Sequence, residues 1–92
     1  MEERIETIIL LCCLHFDVQP QEFFSKSHTR KSAYARTSSV ILMRQYTTKT
    51  VKEIAELVKR SHPTVITNAT TMSHLISKEI DLIENKYKRL AL

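Results

Sequence analysis

A cluster of hydrogen-bonding residues between positions 60 and 67 is the strongest candidate for chemistry in this sequence. Its members are Arg60, Ser61, His62, Pro63, Thr64 and Thr67. Arginine, histidine and hydroxyl side chains donate and accept hydrogen bonds in the geometries that base edges and phosphates present. The stretch 51–58 before them reads as a short amphipathic helix, so the cluster would open a second helix after a tight turn. A helix-turn-helix with a polar leading end fits the major groove of duplex DNA.

The spacing within this stretch supports a helix-turn-helix. Ala55 is small where the two helices must approach closely, and Val65 is apolar where the second helix must lock onto the first. Thr50 followed by Glu53 predicts a capping box at the first helix. The chain contains no glycine, and Lys59 would carry a steric cost at positive φ. We therefore expect a turn that is built without a left-handed residue at Lys59.

The remaining sequence predicts an all-α fold in a single domain, residues 1–92, with the helix-turn-helix at about 50–76. Apolar periodicity predicts helix one at 2–16 and helix two at 33–46, with Ser32 as its N-cap and a short helical turn at 20–24 between them. We expect Phe23 and Phe24 to anchor that turn in the core. Helix three follows Thr50. Ser61 is the expected N-cap of helix four, with Pro63 in its first turn. A stripe from Val65 to Leu90 predicts that helix four continues to the end of the sequence.

Charge is distributed unevenly along the chain. The net charge is +4, and residues 23–52 contain no Asp or Glu. The polar loop 25–32 lies within this basic window, whereas the acidic residues gather near both ends. A basic, acid-free middle beside a helix-turn-helix indicates binding to phosphate.

Other chemistry is poorly supported. Cys12 and Cys13 are adjacent in an apolar run, and with His15 they lack a second ligand pair, so we expect buried free thiols and no metal. The absence of glycine excludes phosphate-cradling Gly-rich loops. We expect no enzyme activity, no cofactor and no membrane span, and free thiols favour the cytoplasm.

At this point the sequence resembles a known family, the C-terminal DNA-binding domain of the bacterial replication initiator DnaA, over about residues 8–72. The matching segments are Phe24-Ser25-Lys26, Arg30-Lys31, Ala35-Arg36, Val51-Lys52-Glu53-Ile54 and Arg60-Ser61-His62-Pro63-Thr64-Val65. The last corresponds to the family signature Gly-Gly-Arg-Asp-His-Thr-Thr-Val. Ser61 and Pro63 replace the family's Asp and Thr, and Lys59 stands for its paired glycines.

The resemblance implies a role for each matching position. Arg60, His62 and Thr64 would touch bases or adjacent phosphates, and His28 takes the place of a loop arginine that enters the minor groove. Arg44 matches a phosphate-contacting residue, and Val51 with Lys52 matches a pair whose backbone meets phosphate. Together with the basic window, these matches predict contacts to double-stranded DNA from Lys26, His28, Arg30, Lys31, Arg36, Arg44, Lys52, Arg60, Ser61, His62, Pro63, Thr64 and Thr67.

Several alternatives remain open at this stage. Without the initiator's ATPase module, we expect an accessory role in replication or transcription control. A ligand-responsive regulator of the Trp-repressor kind would need a small-molecule pocket under helix four and a tight dimer. A protein-interaction module that has lost DNA binding could use Cys13, Leu14, Leu75 and Leu82 as its contact surface. A homodimer could form through helix one or the C-terminal helix.

Overall fold

The computed structural model describes residues 3–25 and 29–91, and the elements assigned in these ranges are helices. In chain order they are α1 (Glu3–Phe16), α2 (Pro20–Phe24), α3 (Arg30–Tyr46), α4 (Val51–Leu57), α5 (His62–Met72) and α6 (Ser77–Ala91). The predicted all-α class is therefore confirmed.

One hydrophobic core unites these helices. Ile5, Ile8 and Cys12 on α1 are almost completely buried, as is Leu42 on α3. Phe23 is buried as predicted, and Phe24 packs beside it with the two ring centroids 4.9 Å apart. Helices α1, α3 and α6 supply most of the buried residues, and α4 and α5 pack against α3 and add Ile54, Ala55 and Val65 to the same core.

The start of the long central helix differs from the prediction. We expected Ser32 as the N-cap of a helix beginning near residue 33, but α3 begins at Arg30 and Thr29 is its N-cap. The Thr29 side chain accepts from the Ser32 amide over 3.3 Å and donates to the Ser32 hydroxyl over 2.8 Å. Ser32 is fully buried, so the cap lies at the exposed residue one turn earlier, where the basic loop ends.

The predicted single helix from Ser61 to the end of the chain is wrong. Helix α5 ends at Met72, and α6 begins at Ser77. The Met72 carbonyl accepts from the amides of both Leu75 and Ile76, which closes a turn in place of continuous helix. Ile76 lies in the turn but is buried in the core, at the position where a continuous helix would also place an apolar residue. The apolar period is therefore unbroken, and periodicity alone could not reveal two helices.

Contacts with α3 and with α1 fix α6. Tyr46 donates from its hydroxyl to a Glu84 carboxylate oxygen over 2.5 Å, and its ring lies 4.8 Å from that of Tyr87. His15 lies 3.6 Å from Glu79 across the α1–α6 contact. None of the helices within residues 3–25 and 29–91 combines the length and apolarity needed to cross a membrane.

Candidate nucleic-acid interface

Helix α4 is held in place by its cap and its buried face. The Thr50 side chain accepts from the Glu53 amide, and the Glu53 carboxylate accepts from the Thr50 amide over 3.0 Å, which confirms the predicted capping box. Ile54 and Ala55 are buried beneath it. The small side chain of Ala55 lets α5 cross closely, and Val65 of α5 is buried at that crossing, 4% exposed.

The turn between α4 and α5 corrects the expectation for Lys59. Its φ is 57°, so a lysine adopts the left-handed conformation that we expected the turn to avoid. The Lys59 amide donates to the Glu56 carbonyl over 3.2 Å, and the Arg60 amide donates to the Ala55 carbonyl over 3.0 Å. This paired pattern is a Schellman motif, which satisfies two carbonyls at the helix end. The hydrogen bonds and the packing that they permit offset the steric cost of Lys59.

The leading end of α5 is organised by Ser61. Ser61 is the N-cap, as predicted, and its side chain accepts from the Thr64 amide over 3.4 Å. The Ser61 hydroxyl also donates to the Thr64 hydroxyl oxygen over 2.7 Å. Pro63 lies in the first turn, and His62, Pro63, Thr64 and Thr67 are all exposed. The predicted polar end of the helix is therefore accessible to a ligand.

Arg60 connects this turn to α2. Its guanidinium donates to the Ser25 carbonyl over 2.7 Å and to the Lys59 carbonyl over 2.9 Å. The first of these bonds joins residues 35 positions apart in the sequence. Arg60 is half-buried, and the geometry gives it a connecting role that the sequence did not suggest.

Arg36 is the predicted contact residue with the least access to a ligand. Its side chain is 7% exposed, and its guanidinium donates to the Phe23 carbonyl over 3.2 Å and to the Glu22 carbonyl over 3.4 Å. Burial, with the nearby Arg60 charge, lowers the pKa of Arg36 to about 10. The group stays cationic at neutral pH and holds the end of α2, a role that differs from the direct DNA contact we predicted.

The other predicted basic residues that the structure describes lie at the two ends of α3 and at the start of α4. Arg30 and Lys31 are exposed in the first turn of α3, and Arg44 is exposed in its last turn. Lys52 is exposed in the first turn of α4. At 1.5 Å per residue, Arg30 and Arg44 are about 20 Å apart along the helix. Lys26 and His28 lie outside the described residues.

Sequence reasoning missed three exposed residues on α5. Ile66 is 47% exposed, and Thr70 and Thr71 are exposed one turn further along the helix. Val65 and Ile66 are adjacent on α5, and only Val65 is buried, whereas both members of the adjacent pair Ile54 and Ala55 are buried on α4. Spacing alone therefore did not show which apolar side chain of α5 faces outward. An exposed apolar group on this face can contact a thymine methyl.

The structure also bears on the alternative interaction surface and on the possibility of a metal site. Cys12 and Cys13 are free and buried, so Cys13 cannot belong to the interaction surface proposed with Leu14, Leu75 and Leu82. The three leucines are exposed. Within residues 3–25 and 29–91, no group of three or more His, Cys, Asp or Glu side chains is placed to hold a metal.

Comparison with known proteins agrees with this geometry. Residues 5–72 match the family model described as bacterial DnaA protein helix-turn-helix. The chain is 31% identical over 90 residues to the chromosomal replication initiator protein DnaA of Pseudothermotoga lettingae, covering 98% of the chain and 20% of that protein. It is 30% identical over 78 residues to the protein of the same name from Oleidesulfovibrio alaskensis, covering 85% of the chain and 17% of that protein. The chain thus spans about a fifth of the length of these relatives. It belongs to the bacterial DnaA helix-turn-helix family, a family of DNA-binding domains.

Proposed function

We propose that this domain binds double-stranded DNA sequence-specifically, with the leading end of α5 in the major groove. The observation that carries the proposal is the two-sided character of α5. Val65 anchors one side in the core, while His62, Thr64 and Thr67 are exposed on the other. The Ser61 cap fixes the Thr64 side chain and the first turn of α5 before any ligand binds, which reduces the ordering cost of binding.

Base reading is assigned to the exposed residues of this leading end. His62 and Thr64 are in the first turn of α5, where helix amide groups and a positive dipole also favour a phosphate. Thr67 follows one turn later with Ile66 beside it. Hydroxyl and imidazole groups make hydrogen bonds to base edges, and an isoleucine distinguishes thymine by its methyl group.

Phosphate contacts are assigned to Arg30, Lys31, Arg44 and Lys52. Arg30, Lys31 and Arg44 lie at the two ends of α3, and Lys52 lies at the start of α4. Helix α3 contacts α5 through Thr37 and Met72, Oγ1 to Sδ over 3.5 Å. A separation of about 20 Å along α3 corresponds to roughly six base pairs of rise. Cations spread over that length fix the register of the protein and supply salt-dependent affinity. Arg36 is given a positioning role instead.

The names of the relatives support a proposed biological setting. They are named chromosomal replication initiator proteins, so we place this domain in the control of replication, with transcription control as the related role. Exposure of Leu14, Leu75 and Leu82 favours a protein partner as a second function. The cavity beneath α5 beside Arg36 and Asn68 measures about 10 Å³, close to the minimum for one water, so a ligand-responsive regulator would have to bind its ligand in another pocket.

In-vitro selection from random duplexes tests the proposal and supplies the site. We expect enrichment of one motif, and a binding constant on the enriched duplex that falls steeply with salt. His62→Ala should weaken binding by roughly tenfold, about the value of one good base contact. His74→Ala replaces another exposed histidine, in the α5–α6 turn, and should bind like the wild type.

Two results would contradict the proposal. If selection enriches no duplex while a protein partner binds the exposed leucines, the interaction module is the better account. If DNA binds but His62→Ala and His74→Ala weaken it equally, the leading end of α5 does not read the site.

A further inference from the structure

Three cationic side chains converge on the C-terminal end of α2. Arg36 comes from α3 and reaches the Phe23 and Glu22 carbonyls. Arg60 comes from the α4–α5 turn and reaches the Ser25 carbonyl. The Lys59 ammonium lies 5.9 Å from the centroid of the Phe24 ring, within cation–π range. The end of α2 is therefore a junction between α3 and the helix-turn-helix.

Helix α2 supplies a reason for this convergence. It has five residues, too few to be stable alone, and its last carbonyls lack partners within the helix. Those carbonyls form the negative end of the helix dipole and attract cations. The Glu22 carbonyl accepts from the amide and hydroxyl of Ser25. Donors from α3 and from the turn also bind carbonyls at this end, so α2 connects α3 to the turn.

Arg60 links the α4–α5 turn directly to the end of α2. A single guanidinium donates both to Lys59 within the turn and to Ser25 beyond α2, over 2.9 Å and 2.7 Å. The planar arrangement of five donors allows one arginine to bridge two carbonyls, which the compact lysine ammonium does poorly. Arg36 carries the same charge nearby, and each guanidinium is held by its own carbonyls at the end of α2, Arg36 by those of Glu22 and Phe23 and Arg60 by that of Ser25.

We propose that Arg60 is a positioning residue: it docks the α4–α5 turn onto α2, and so sets the leading end of α5 in a fixed geometry relative to the basic first turn of α3. This inference rests on the proposed function and assigns Arg60 a role other than base reading. If the bridge is lost, α5 and the Arg30–Lys31 pair are no longer held in the geometry that lets both contact DNA at once. The affinity for DNA then falls even though every charge is retained.

A double-mutant cycle on the duplex enriched by selection tests this role. The substitutions are Arg60→Lys, which keeps the charge and removes the fork, and Lys31→Ala, which removes one cation of α3. In the wild type we expect Lys31→Ala to raise Kd by roughly threefold, as for one phosphate contact. In the Arg60→Lys background the same change should have almost no effect, because that contact is already impaired. Lys78→Ala, an exposed lysine on α6, is the matched control and should be neutral in both backgrounds.

Base-pair substitutions in the duplex separate positioning from reading. With Arg60→Lys, we expect all substituted duplexes to lose affinity by a similar factor, so discrimination persists at each position. Loss of discrimination at a single base pair would overturn the inference and make Arg60 a base reader. Equal effects of Lys31→Ala in the two backgrounds would also overturn it.

Separate control experiments distinguish a folding defect from a defect in DNA binding. Circular dichroism shows whether Arg60→Lys is folded at the assay temperature. Should it unfold, Arg36→Lys disrupts the other half of the junction and must show the same coupling with Lys31→Ala, or the inference fails. A wild-type chain that binds no duplex would instead overturn the proposed function.

Discussion

The backbone amide of Arg60 donates to the carbonyl of Ala55 over 3.0 Å, across a turn in which Lys59 has a φ of 57°. This bond ends α4 and starts the approach to α5. It lies beside the small Ala55 side chain, where α4 and α5 cross, so one short stretch sets both the direction of α5 and its distance from α4. A lysine in the left-handed region is tolerated because the hydrogen bonds of the Schellman motif require that conformation.

Lys59→Gly should stabilise the fold. Glycine removes the steric cost of a positive φ at position 59. This gain in folding free energy exceeds the extra conformational entropy that glycine loses on folding by about 0.5–1 kcal/mol. In a domain of this size the melting temperature should rise by roughly 2–6 °C. Lys59→Ala is the control, because it also removes the contact with Phe24 but keeps a β-carbon. A glycine variant that melts no higher than the alanine variant would contradict the strain argument.

The capping box should make α4 sensitive to acid. Hydrogen bonds from Thr50, the backbone amide first, hold the pKa of Glu53 below its usual 4.5. Because the folded pKa is the lower one, the charged carboxylate contributes stability above about pH 4.5, and this contribution is lost as pH falls through the folded pKa.

Denaturant unfolding of Glu53→Gln across this pH range measures the effect. The wild type should be more stable than the variant at neutral pH, and the gap should close in acid. Glu56→Gln, on the same helix but outside the capping box, should show a smaller pH-dependent gap. A constant gap for Glu53→Gln would mean that the charge is not what stabilises the cap.

Ile66 should recognise a thymine methyl. With 47% of the side chain exposed on α5, Ile66→Ala should weaken binding to a thymine-containing site by roughly fivefold, about 1 kcal/mol. Replacing thymine with uracil in the selected duplex should weaken the wild type and leave Ile66→Ala unchanged. Leu75→Ala, another exposed apolar residue, should respond to uracil like the wild type. An Ile66→Ala variant that remains sensitive to uracil at every position would contradict this contact.

The two thiols should report on unfolding. Burial raises the pKa of Cys12 to about 12 and that of Cys13 to about 11, so both lack the reactive thiolate at pH 8. We expect a thiol reagent to react with the native protein at least about 10³-fold more slowly than with the denatured protein, since reaction must await opening. Rapid labelling of one equivalent in the native state would show that α1 is not packed as described.

The sequence predicted those features that depend on local patterns. The Thr50–Glu53 capping box, the Ser61 N-cap and the burial of Phe23 and Val65 follow from residue type and spacing. The break between α5 and α6 was missed because Ile76 keeps the apolar period through the turn. The Lys59 conformation was missed because tertiary packing outweighed an unfavourable local preference. The Arg60–Ser25 bond depends on two segments that meet only in the folded chain, so no local pattern could reveal it.

The most direct test of the central claim is methylation interference on the selected duplex. Methylating guanine N7 blocks an acceptor in the major groove and leaves the minor groove of that base pair unchanged. If α5 occupies the major groove, methylation within the site should strongly reduce binding at one or more guanines, and His62→Ala should lose this sensitivity at the guanine that it contacts. Wild-type binding that tolerates N7 methylation at every guanine of a guanine-containing site would contradict the account.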